Sequence, residues 1–163
     1  MRKSIAIFGG SLFQDIKYEK GSFIPTPMQA TVKLSKEYKI DNYSFEGLKI
    51  SRVNHLIQSL PMKGIYSDCI LAIGEADLDQ PAAFKKDLLD AIQFLEDNDI
   101  RPLLVSLPKH LMEDKRGAYI QDILDEVAVK RNIDYIYEGK TSKLVSYMVL
   151  ENKDWTNAIL SLC

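Results

Sequence analysis

Ile5-Ala6-Ile7-Phe8-Gly9-Gly10-Ser11-Leu12 is an apolar run that stops at two glycines and delivers a serine into the turn. Unbroken apolar residues of strand length describe a strand covered on both faces, the setting of a parallel sheet flanked by helices. The glycines allow a sharp turn at its end. A serine placed there is either an exposed nucleophile or an anchor for a bound anion, so the remainder of the chain is read for the partners either role needs.

Three further apolar runs have strand length, at residues 48–53, 69–73 and 103–107, and a weaker one covers 135–137. Between them lie helical patterns. After Asp79, read as an N-cap, and Pro81 in the first turn, Ala83, Phe84, Leu88, Ala91, Ile92 and Leu95 recur at three- and four-residue spacing. Tyr119, Ile120, Ile123, Leu124, Val127 and Ala128 repeat it, and both stripes read as core faces. A third helix is expected to start at Thr26-Pro27 and run through Val32 and Leu34, and a short one to cover residues 54–60. Residues 21–27 read as a loop and 38–46 as a polar connection. Strands alternating with helices give an α/β class with five parallel strands in three layers, one domain over residues 1–163.

The chain of 163 residues can bury one core, roughly 70% of the surface its unfolded form exposes. A hydrophobic share of 46%, a charged share of 27% and a net charge of -2 give no electrostatic reason to expect nucleic acid. Cys69 lies inside an apolar run and Cys163 is the last residue, which suggests no disulfide framework and a reduced setting. The apolar run after the basic first residues is too short for a signal-peptide core, and no stretch approaches the ~20 apolar residues that cross a bilayer. A cytoplasmic protein without a membrane partner is expected. The cysteines and histidines lack metal-ligand spacing, and Gly9-Gly10-Ser11 lacks the third glycine and the lysine of nucleotide loops. No metal and no cofactor are expected.

Ligands of an open parallel sheet bind outside the carboxyl ends of its strands. The residues following the runs are Gly9, Gly10 and Ser11; Arg52, Asn54 and His55; Gly74, Glu75 and Asp77; Lys109 and His110. Both histidines of the chain fall in this set. The chain here resembles the SGNH (GDSL) hydrolase superfamily over most of its length, from Ile5 to Asn157. Gly9-Gly10-Ser11-Leu12 matches the GDSL block, the strand leading into Gly74-Glu75-Ala76-Asp77 matches the block ending in GxND, and Asp154-Trp155-Thr156-Asn157 stands where the family has DxxH. The resemblance implies a flavodoxin-like α/β/α sandwich and a serine ester hydrolase acting on O-acyl groups of a small molecule or carbohydrate.

Several block residues differ. Gly10 replaces the aspartate of GDSL, Ala76 the asparagine of GxND and Asn157 the histidine of DxxH, and no second-block glycine is found near residues 52–55. A serine hydroxyl needs a base to take its proton, and Asn157 cannot serve. The resemblance therefore implies Ser11 as nucleophile, with His110 or His55 as displaced base and Asp154, Asp77 or Glu75 to orient it. Gly74, Asp77 and Asn157, beside the backbone of Ser11, are the oxyanion or substrate-binding candidates. A catalytically silent relative that keeps the fold for binding or assembly is the alternative, and FMN held by backbone N–H groups around Gly10 to Leu12 is another. The short stretch beyond Asn157 leaves room for an element supplied by a second copy, so a homo-oligomer is a further expectation.

Overall fold

The computed structural model describes residues 3–10, 13, 16–25, 37–137 and 148–149. Strand β1 (Lys3–Gly9) is followed by a hairpin of β2 (Ile16–Glu19) and β3 (Ser22–Pro25), then β4 (Tyr38–Asn42), α1 (Ile50–Ser59), β5 (Asp68–Ala72), α2 (Pro81–Asp97), β6 (Arg101–Val105), α3 (Lys109–Met112), α4 (Lys115–Arg131), β7 (Asp134–Tyr137) and β8 (Met148–Val149). The main sheet has the order β4-β1-β5-β6-β7-β8 with every pairing parallel. Its first five strands are the substantial ones, and β8 adds two residues.

Alternate side chains of the central strands are buried on opposite faces. Ala6, Phe8, Cys69, Leu71, Leu104 and Tyr135 pack with the inner stripes of α1, α2 and α4. Ile5, Ile7, Ile70, Leu103, Val105 and Ile136 are equally inaccessible, so the second face is covered as well. This double burial is why these strands are unbroken apolar runs. The sheet is the doubly wound, flavodoxin-like α/β class expected from the sequence.

Three assignments change. Residues 48–53 are not a strand: Ile50, Val53 and Ile57 share the buried face of α1, which begins four residues earlier than the short helix expected at 54–60. The second strand is instead β4, inside the segment read as a polar connection. As an edge strand it pairs only with β1 and is at most half-buried, so it requires no continuous apolar run. Part of the expected loop 21–27 belongs to the β2–β3 hairpin, whose turn at Lys20 and Gly21 has φ of +50° and +79°. Those angles suit the type I′ turn that matches strand twist.

The helical stripes hold, with exceptions at their margins. Phe84, Leu88, Ala91, Ile92 and Leu95 are buried on α2, whereas Ala83 is exposed. On α4 Tyr119 is exposed beside the buried Ile120. Pro81 opens α2, but Gln80 is its N-cap residue, and Asp79 pairs with Arg116 at 2.7 Å instead. The helix expected from Thr26-Pro27 lies outside the described residues.

Candidate functional site

The strand order reverses at β1. The chain leaves β1 to form β4 on one side and crosses back to form β5 on the other. The carboxyl ends of β1 and β5 therefore flank the switch point, where open α/β sheets bind ligands. A narrow recess with a cavity volume of about 10 Å³ opens there, walled by Gly10, Phe13, Glu75, Ser106, Leu107 and Pro108. A larger depression of about 440 Å³ lies at the opposite, amino-terminal edge, around Arg101, Asn132 and Asp134, away from the switch point.

Backbone hydrogen bonds hold the first wall. Gly10 N–H donates to the Ala72 carbonyl at 3.3 Å, and Phe13 N–H closes a turn onto the Gly10 carbonyl at 3.1 Å. Tyr43 and Phe45 N–H groups donate to the carbonyls of Ile7 and Gly9, so the loop after β4 runs beside the end of β1. Asn42 Nδ2 donates to the Phe13 carbonyl at 2.7 Å, and Phe45 stands partly exposed on this edge. The Glu75 carboxylate lies against Gly10: a Cβ built there would meet Oε2 at 2.6 Å.

The opposite wall is tied to a buried polar network. Ser106 is buried, with its N–H donating to the Ile136 carbonyl and its hydroxyl to the Leu107 carbonyl. Leu107 N–H donates to Gln121 Oε1 at 2.9 Å, and Gln121 Nε2 donates to Asp125 at 2.7 Å and to the Tyr135 hydroxyl. Burial, reinforced by the neighbouring Asp125 charge, pushes the Tyr135 phenol well above its ordinary range. The expected strand at 103–107 hid Ser106, although a polar residue interrupting that run was the available signal.

The residues singled out from sequence are placed as follows. Gly74 is enclosed: a Cβ there would meet Ile120 Cγ2 at 2.9 Å and Leu107 Cδ2 at 3.1 Å, and its φ is +117°. Asp77 is buried, and its carboxylate accepts the Ile50 N–H at 3.1 Å. It therefore caps α1, which precedes it in the chain, rather than the segment after it. Burial pushes its carboxyl up, while the Ile50 bond and the Lys49 charge oppose that and Asp87 adds to it. His55 stands on the exposed side of α1, away from the buried Ile50, Val53, Asn54 and Ile57. His110 is exposed on α3, two residues beyond Pro108 of the recess wall. Ser11, Asp154 and Asn157 lie outside the described residues. Among the described residues no three His, Cys, Asp or Glu side chains are grouped to hold a metal, and no helix is long and apolar enough to cross a membrane.

Solved structures of SGNH/GDSL hydrolases share this fold. A crystal structure of AlinE4, an SGNH-hydrolase family esterase, matches 83% of this chain and 75% of its own at 23% identity and a TM-score of 0.62. A variant of that esterase matches 99% of this chain and 93% of its own, at 18% identity and the same TM-score of 0.62. A protein of the lipolytic G-D-S-L family from Desulfitobacterium hafniense DCB-2 matches 83% and 77%, at 11% identity and a TM-score of 0.68. No family model matches the sequence, and no curated protein does.

Proposed function

We propose that the chain is a divergent SGNH/GDSL serine ester hydrolase, with Ser11 as the nucleophile attacking an O-acyl group of a small molecule or carbohydrate. The observation that carries this reading is that Gly10, the residue before that serine, directly follows β1 at the switch point and walls the recess there. The fold shared with AlinE4, an esterase, supports it. His110, close in sequence to the recess wall, is the better-placed base of the two histidines, with Asp154 to orient it. Gly47, in the loop after β4 and with φ of +82°, stands where a second-block glycine is needed once β4 replaces the expected strand at 48–53.

Ala76 brings no side-chain donor to the oxyanion site, a loss that costs about 10²–10³ in kcat. Slow turnover of reactive short-chain esters is expected. The recess has a cavity volume of only about 10 Å³, far below the roughly 300–1,000 Å³ of typical ligand pockets, which favours the reacting end of a small ester over a flavin. Hydrolysis of p-nitrophenyl acetate, with covalent capture of Ser11 by a fluorophosphonate, tests the reading. Hydrolysis undiminished in Ser11→Ala refutes the serine mechanism. A non-catalytic binding role is favoured by Ala76, and it requires both measurements to be blank.

A further inference from the structure

We infer that Glu75 supplies, from the loop after β5, the carboxylate that the GDSL pattern carries at position 10. The three atoms nearest to a Cβ built at Gly10 all belong to Glu75: Oε2 at 2.6 Å, Cδ at 3.5 Å and Cβ at 4.0 Å. The volume that a side chain at position 10 would use is thus filled by this carboxylate. The hydrogen bond from Gly10 N–H to the Ala72 carbonyl fixes the two segments against each other, three residues before Glu75. The rest of the wall is largely apolar, with Phe13, Val105 and Leu107 around it. Glu75 is half-buried over Gly10 among these apolar side chains.

That position sets the carboxylate over the first residue of the turn that Gly10 opens and Phe13 closes. Glu75 is therefore a positioning residue: it acts through the turn that carries Ser11. An aspartate at position 10 would have to displace the Glu75 carboxylate and would set a second negative group beside it. This accounts for glycine at position 10: the negative group has changed its point of attachment while keeping its place.

A double-mutant cycle tests the exchange, read by fluorophosphonate labelling of Ser11 and by thermal unfolding. The labelling arm rests on the serine-hydrolase reading; the thermal arm does not. Glu75→Ala is expected to slow labelling about tenfold, less than the 10²-fold that a 1 Å misplacement can cost. Gly10→Asp alone is expected to lower Tm by about 3 °C, the shift of about 1 kcal/mol in a chain of this size. In the Glu75→Ala background the same substitution is expected to raise Tm and restore labelling to within about threefold of wild type, as expected when the carboxylate regains its place. Gly10→Asp effects that are the same in both backgrounds overturn the inference. If the wild type does not label, the hydrolase reading falls, and the thermal cycle alone decides the exchange: a change of sign supports it and additivity overturns it.

Discussion

Replacing Gly74 with alanine separates two costs that the structure imposes at one residue. Its φ of +117° lies outside the compact left-handed region that other residues occasionally visit. Holding alanine there costs about 1–3 kcal/mol in backbone strain. The new methyl would also meet Ile120 Cγ2 at 2.9 Å and Leu107 Cδ2 at 3.1 Å, both on packed core side chains. Overpacking of that kind adds about 1–3 kcal/mol. A total near 4 kcal/mol corresponds to a fall in Tm of about 12 °C. Gly47→Ala is the control, because φ there is +82° and no atom lies within 4 Å of the new methyl. It carries strain alone, about 1–2 kcal/mol. Urea unfolding of both variants, with unchanged m-values, measures the difference. Equal losses at the two positions would refute the claim that Gly74 is enclosed by α4 and the 106–108 loop.

Asp77→Ala orphans the Ile50 N–H and should cost about 1–2 kcal/mol, whereas Asp77→Asn keeps an acceptor and should lose less. Because burial raises the Asp77 pKa from its ordinary 3.8, the folded state holds its proton more tightly than the unfolded state does. The Asp77 contribution to stability is therefore greatest below pH 3.8 and is lost as pH rises through the raised value. Urea titrations from pH 3 to pH 7 should show that slope in wild type and not in Asp77→Asn; a difference of opposite sign would contradict the assigned environment. At the far edge, Arg101 Nε contacts the Asp68 carboxylate at 2.7 Å, where Asp68 is 4% and Arg101 41% exposed. Arg101→Ala should cost about 2 kcal/mol, less than the 3–5 of a fully buried pair. Adding Asp68→Asn should recover part of that loss in the same urea assay.

The strands most legible in the sequence were those buried on both faces. The residues of β1, β5 and β6 have almost no polar interruption, because helices or other apolar cover leave no solvated side. Edge strand β4 was hidden by its own exposure, with Lys39, Asp41 and Asn42 reading as connection. Residues 48–53 show the complementary difficulty: a short apolar run does not distinguish strand from helix until its burial face is known. Of the candidate site, what the sequence made legible was the turn after the first strand, where Gly10 lines the recess. What sequence order could not convey was contact across elements. Asp77 caps a helix that precedes it by a whole strand, Glu75 covers Gly10, and Gln121 holds the Leu107 N–H from another helix.

That last hydrogen bond bears on when the crevice comes into being during folding. One of its walls follows β1, another follows β5, and a third follows β6 and is tethered to α4. Local closure of any single βα unit cannot build it, and contacts between distant parts of a chain are slow to assemble. A chain stalled with its C-terminal third undocked would hold most of its secondary structure yet display no finished pocket, so, on the proposed serine mechanism, fluorophosphonate labelling of position 11 during refolding should lag the recovery of helical signal.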